Sequence, residues 1–316
     1  MLKIIFAVLF SFLVIGKEAD AADKSSQEIL GSGIKGSIES YKVGDIVVIA
    51  IKDTDTNMGK SIFLEPDAAI IKRLMSEGNV RSSINTFLIK TAKHNILVDT
   101  GIGGSGGATH DNLVYLGIDP SEIDIILITH MHNDHIGGLL FGKDKIYPKA
   151  KVYIAAPEIE FWQSRPSAIA ANNVLAAYTQ NIVPFEFANK ALPLFAKGEG
   201  DDIEIKVMKA AGHTPGHSAF EVISKKEHLL IAGDIVHNIT IQTAEPLMSV
   251  TFDTDPEEAA KTREEIFDYA QKNKIPIAGM HIPFGGIVSI QKNKQGGYDF
   301  TVVKTNEDAQ QKGGEK

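Results

Sequence analysis

The chain has 316 residues, no cysteine and a formal net charge of −8. An acidic protein without a block of Lys or Arg is poorly suited to nucleic acid or to an anionic membrane surface, and the lack of thiols excludes both disulfides and a lipid anchor on Cys. The length would hold two average domains, but no Pro/Ser-rich linker or low-complexity break divides it, so one large α/β domain over residues 22–304 is expected.

Met1-Leu2-Lys3 is a short basic start, Ile4 to Ile15 is an apolar run too short to span a bilayer comfortably, and Ala19-Asp20-Ala21 is a small-residue cleavage pattern. Residues 1–21 therefore read as a secretory signal peptide, and the mature protein is expected in the periplasm or outside a bacterium, off the membrane once cleaved. Cleavage removes Lys3, Lys17, Glu18 and Asp20, so the charge stays at −8. Beyond the polar stretch Ser25 to Lys35, Ile38 to Val43 and Asp45 to Ile51 predict a hairpin around Gly44. Asp55 to Gly59 reads as a loop, Asp67 to Met75 as a short helix after Pro66, and Ile84 to Ile89 and Asn95 to Val98 as two further strands.

The second of these ends in Asp99-Thr100-Gly101 and enters a glycine-rich loop with a formal G-x-S-x-G match at Gly103, Ser105 and Gly107. A nucleophile elbow needs its Ser at the strand end, whereas here several residues intervene, and the Lys of a phosphate-binding loop is missing. The stretch is expected to be a mobile loop near the site.

Ile123 to Ile128 is β-branched and apolar, which predicts a buried strand. Directly after it come His130, His132, Asp134 and His135, then Gly137-Gly138, so that a strand, a tight loop and a helix start carry three imidazoles and a carboxylate. Residues two apart in extended chain face the same way, so His130 and His132 can offer two imidazoles to one metal ion while the turning chain presents Asp134 and His135 on another side. Imidazole with carboxylate suits zinc, or manganese, iron or cobalt. Lys151 to Ile154 is a further strand, Pro157 opens a helix bearing Phe161 and Trp162, and Ala168 to Tyr178 is helix-like. Aromatic residues at helical spacing read first as core; Phe161, Trp162 and Phe284 are also candidates for a substrate pocket.

The second half repeats the strand-then-ligand pattern. Ile203 to Met208 leads into Gly212-His213-Thr214-Pro215-Gly216-His217, and a hairpin of Ala219 to Ser224 with His228 to Ala232 ends in Gly233-Asp234. Asp255-Pro256-Glu257-Glu258 predicts a capped helix to about Lys272, with Glu258 placed to complete a capping box. Ile275 to Gly279 is a strand followed by His281. His94, His110, His228 and His237 read as surface residues, and His217 as a hydrogen-bonding one.

In this order, H-x-H-x-D-H, a later His, an Asp and a final His, after Asp99-Thr100-Gly101, make the chain resemble the metallo-β-lactamase superfamily from about Ile38 to Phe300. The resemblance implies an αββα sandwich and two divalent metal ions. One ion would be held by His130, His132 and His213, the other by Asp134, His135 and His281, with Asp234 bridging and Asp99 orienting a ligand imidazole. It further implies hydrolysis by a hydroxide shared between the ions, with Asp134 and Asp234 as catalytic carboxylates, and it hints at a homodimer. Residues 305–316 are expected to be a disordered tail.

The substrate follows less directly, because one fold hosts many hydrolyses. Asp234 stands where β-lactamases of this superfamily carry Cys, Ser or another residue, and flavin-coupled di-iron relatives place a Glu where this chain has His132. Glyoxalase-II-like thioesterases share the Asp, but the C-terminal half lacks basic residues suited to glutathione. Nuclease relatives carry inserted domains and basic grooves that are missing here. The remaining resemblance is to the exported methyl parathion hydrolase and lactonase branch, carried by Thr129 to His135, Phe161-Trp162, Gly212 to His217, Gly233-Asp234 and Phe252 to Asp255. It implies a small-molecule hydrolase of neutral, fairly apolar esters, either lactones or organophosphate triesters. A metal-binding or partner-binding protein on a hydrolase-like fold is the alternative of another class.

Overall fold

Val47-Val48-Ile49-Ala50-Ile51 is apolar at every position, a pattern that needs cover on both faces of a sheet. The computed structural model describes residues 37–66, 68–75, 79–188, 190–195 and 203–303, and there the cover comes from a second sheet on one face and helices on the other. The expected signal peptide and C-terminal tail lie outside these residues.

The first sheet begins with β1 (Ile38–Val43), β2 (Ile46–Gly59), β3 (Asn79–Lys90) and β4 (Asn95–Val98), each antiparallel to the last. β5 (Ile125–Leu127) follows in parallel, and after the small hairpin β6 (Leu140–Phe141) and β7 (Asp144–Lys145) the sheet adds β8 (Lys151–Ala155) and β9 (Ile182–Phe185), also parallel. The second sheet runs in sequence order: β10 (Ile203–Lys209), β11 (Ser218–Ser224), β12 (Glu227–Ile231), β13 (Ile277–Ala278), β14 (Ile287–Lys292) and β15 (Tyr298–Val302). Only β12 and β13 pair in parallel there, joined by the 18-residue helix Pro256–Asn273.

Alternation along the strands sorts the core into layers. Val48, Ala50, Phe87, Ile89 and Leu127 meet Phe220, Val222 and Ile231 between the sheets. Ile49, Ile51, Leu88 and Ile126 face the helix Ile169–Ala177, and Leu230, Ile277 and Val288 face Ile266, Phe267 and Ala270 of the long helix. The result is the expected αββα sandwich. The long helix starts as read from the sequence, with Asp255 accepting the Glu258 amide at 3.0 Å. The Glu258 side chain, however, reaches Lys209 at 3.4 Å.

Two local expectations are corrected. Asp55 to Gly59 is not a loop but the outer part of β2, paired with β3 as an arm that projects past the core, so its polar residues face solvent and a cavity. A register shift between Lys52 and Thr54 leaves Asp53 unpaired in the ladder and buried. Its carboxylate accepts the Ile102 and Thr109 amides, both at 2.8 Å, and the Thr109 hydroxyl at 2.6 Å. The glycine-rich loop is therefore anchored at both ends rather than free, and Ser105 is exposed on it, away from the ligand cluster. Asp53→Ala should cost about 1–3 kcal/mol by stranding buried amides, read as a lower urea midpoint, while Ser105→Ala should leave stability unchanged; equal midpoints for Asp53→Ala and the parent would show that the carboxylate does not hold the loop.

Candidate metal centre

Strand ends deliver the ligand-type residues to one edge of the sandwich. Thr129 to Asp134 follow β5, His213 follows β10, Asp234 follows β12 and His281 follows β13. His132 sits at the N-terminal end of a four-residue helix, Asn133–Ile136, whose turn brings Asp134 and His135 back over the strand ends. That turn packs so closely on the loop after β4 that a Cβ at Gly137 or Gly138 would collide with the Ile102 or Thr100 carbonyl.

Three imidazole nitrogens converge in the first group. His130 Nε2 is 2.9 Å from His132 Nδ1 and 3.1 Å from His213 Nε2, and the latter two nitrogens are 3.0 Å apart. Outer hydrogen bonds fix the tautomers. His213 Nδ1 donates to Asp253 Oδ1 at 2.9 Å. His130 Nδ1 lies 3.1 Å from Thr129 Oγ1, whose own proton is committed to Asp99 Oδ2. Both rings thus turn an Nε2 lone pair inward. Burial, aided by neighbouring imidazoles, pushes His130 well below the usual range and His132 and His213 down to about 4, against the pull of nearby carboxylates. Neutral rings that share at most one proton at this separation are poorly satisfied by one another. Nitrogens about 2.0–2.1 Å from a tetrahedral zinc stand roughly 3.3 Å apart, so a cation at their focus fits the donor set.

The second group joins Asp134, His135, Asp234 and His281. Asp99, in left-handed backbone at φ 55°, accepts from His135 Nδ1 at 2.7 Å and from the Thr129 amide at 2.8 Å. His281 Nδ1 donates to the Ser83 carbonyl at 3.2 Å. Both outer bonds aim Nε2 at Asp234 Oδ2, 3.2 Å away for His135 and 3.0 Å for His281, with Asp134 Oδ2 3.6 and 3.3 Å from the same two nitrogens. His135 Nε2 and Asp234 Oδ1 are buried without a hydrogen-bond partner. Burial works against the Asp234 charge, yet His135 and His281 hold the carboxyl well below its usual range, and the carboxylates in turn carry His281 up to about 10 against its own burial. The two imidazoles and two carboxylates so gathered are a donor set that suits a second divalent cation once the ring protons are given up.

All seven residues singled out from the sequence as ligands therefore lie together, and Asp99 stands behind His135 as expected. His217 is structural: its Nδ1 donates to the Ala210 carbonyl at 2.8 Å and its Nε2 accepts the Asp234 amide at 3.1 Å. Three corrections follow for residues placed elsewhere. His237 is not a surface residue; it is 2% exposed, its Nε2 lies 3.4 Å from Asp234 Oδ2 and its ring stacks on His281. Trp162 does line the cavity over the site, edge-on to His132 at 5.4 Å, but Phe161 does not. One residue back on the helix, its ring is turned beneath the Arg165 guanidinium, 3.5 Å away. Phe284 packs on the core between the sheets and is likewise absent from the cavity wall. His94, His110 and His228 pair with Asp124, Asp111 and Glu221, outside the cluster.

Asp253 was not assigned a role from the sequence, although it lies in a segment that carried the family resemblance. It does for His213 what Asp99 does for His135. Asp99→Asn and Asp253→Asn should each weaken zinc binding by about 10–100-fold, measured by competition with a chromophoric chelator; parent-like affinity in both variants would show that these carboxylates do not orient the ligands.

Known proteins resemble this chain in sequence and in fold. The family model of the metallo-beta-lactamase superfamily matches residues 80–274, more than half of the chain. The crystal structure of AbOPH, a hydrolase in the beta lactamase superfamily, is 28% identical and superposes with a TM-score of 0.76, covering 86% of this chain and 99% of its own. The dizinc quorum-quenching lactonase AidC, 22% identical, shares the fold at a TM-score of 0.76 over 85% of this chain and 98% of its own. Among curated proteins, exodeoxyribonuclease WalJ of Streptococcus pneumoniae is 43% identical over 58 residues, 18% of this chain and only 21% of its own length. Family match and fold agree, and the chain belongs to the metallo-beta-lactamase superfamily.

Proposed function

We propose that the protein is an exported metal-dependent hydrolase of neutral, fairly apolar esters, with lactones and organophosphate triesters as the two leading classes. The observation that carries this is the cavity above the ligand cluster. It has a volume of about 950 Å³, its floor includes His132, Asp134, His213, Asp234 and His281, and among the described residues no Lys or Arg lines it. Trp162, Ile169 and Phe252 supply apolar walls, and Asn57 and Asn173 supply neutral polar ones. A carboxylate-bearing β-lactam or glutathione thioester would find no Lys or Arg among the described residues there, whereas a neutral ester loses little on entering. The dizinc lactonase among the structural neighbours supports the same class through its fold.

Divalent cations held by these residues would supply Lewis acidity and would activate water at neutral pH. The residues of the chain do the rest. His130 and His213 present lone pairs from fixed tautomers, His132 completes their set, Asp134, His135 and His281 form the other, and Asp234 lies between both. Asp134, whose side chain is 26% exposed, is the carboxylate open to the cavity and is placed to orient an attacking water by accepting its hydrogen bond. His237 lines the cavity beside Phe252 and offers a further polar edge next to the reacting groups.

The test is hydrolysis of lactones, aryl esters, a phosphotriester and a cephalosporin by the mature protein, before and after chelation and readdition of zinc, manganese or cobalt. Turnover of a lactone or triester that disappears with chelator and returns with metal is expected; a clear cephalosporin preference would overturn the substrate class. Full hydrolysis by metal-stripped protein would overturn the mechanism, and bound metal without any turnover would favour the binding-protein alternative. Export rests on the sequence of residues 1–21, and predicts a secreted or periplasmic form whose mass begins near Ala22; a cell-associated form retaining Met1 would contradict it.

A further inference from the structure

Glu158 is fully buried, and among the described residues no Lys, Arg or His pairs with it. A carboxylate in that position is costly unless hydrogen bonds replace its water. Here four do. Oε1 accepts the Met131 amide at 2.8 Å and the Trp162 indole N–H at 2.6 Å. Oε2 accepts the Thr214 hydroxyl at 2.6 Å and the Gly216 amide at 3.0 Å. Its place in the first turn of the helix Ala156–Gln163 adds the positive end of that helix.

The donors are not scattered. Met131 lies between His130 and His132, and Thr214 directly follows His213, so one carboxylate ties together the two loops that carry the first trio of imidazoles. The third tie is to Trp162, which walls the cavity beside His132. Gly216 is fitted to the same clamp, since a Cβ there would collide with the backbone and Cβ of Glu158.

We propose that Glu158 is a positioning residue that sets the spacing of the loop bearing His130 and His132 against the loop bearing His213, and so shapes the first of the two metal seats while leaving the second unaffected. This rests on the metal-centre reading above. A Gln cannot replace it, because its amide nitrogen would face N–H groups on one side, and the Gly216 amide, unlike the Thr214 hydroxyl, cannot turn to accept.

The experiment is stepwise zinc titration of metal-free protein by calorimetry, with cobalt absorption spectra as a second readout, for the parent, Glu158→Gln, Thr214→Val and the control Asp53→Asn, each with its thermal midpoint. Expected are two binding steps in the parent, one of them weakened about 10–100-fold in Glu158→Gln and less in Thr214→Val, with the cobalt bands of one ion altered. Asp53→Asn, which loosens the loop packed on the Gly137-Gly138 turn and not the Glu158 clamp, should lower the midpoint and leave the step that is weakened in Glu158→Gln at its parent value. Parent-like steps and spectra in Glu158→Gln would overturn the proposal, as would equal weakening of both steps. If Glu158→Gln does not fold, Thr214→Val decides by the same criterion. No zinc binding by the parent would instead remove the metal-centre reading itself.

Discussion

The site depends on one buried carboxylate oxygen. Asp234 Oδ2 has imidazole nitrogens of His281, His135, His237, His213 and His130 around it at 3.0, 3.2, 3.4, 3.5 and 3.7 Å. Such a charge is expensive to bury unless positive charge accompanies it. The carboxylates draw the His135 and His281 imidazoles towards their charged forms, while burial holds the opposite trio towards the neutral one. An arrangement charged on one side and lone-paired on the other is ready to exchange protons for cations.

The rest of the fold serves to hold those nitrogens in place. Asp99 behind His135, Asp253 behind His213 and the Ser83 carbonyl behind His281 each occupy the outer ring nitrogen, so the inner one is committed to the cluster. The two sheets place the strand ends together, and close backbone approaches at Gly137, Gly138 and Gly216 bring the loops within reach of one another. The β2–β3 arm, an extension of the first sheet, contributes Asn57 and Met58 to the cavity wall. The ligand cluster and the cavity wall are thereby parts of the same scaffold.

Much of this was legible in the sequence because ligand-type residues followed apolar strand runs at four separate places. The alternation of the strands gave the layers, and the Asp255-Pro256 start gave the long helix. What was not legible depends on distance in space. His237 follows apolar Ile235 and Val236 and carries no local mark of a site residue; only the packing of His281 against it reveals its place. Glu158 looks like an ordinary helical Glu until the Met131 and Thr214 loops close on it. The polar run Asp55 to Gly59 reads as a loop because an exposed strand arm has no apolar face to announce it. Phe161 and Trp162 are neighbours in the chain, and sequence could not tell which one a helical turn would aim at the cavity.

The most direct test of the central claim is anomalous diffraction from zinc-soaked crystals at the zinc edge. Two peaks on either side of Asp234 are expected, one enclosed by His130, His132 and His213 and the other by Asp134, His135 and His281. A protein that binds zinc only at surface residues, or leaves the Asp234 cluster empty at saturating zinc, would contradict the account.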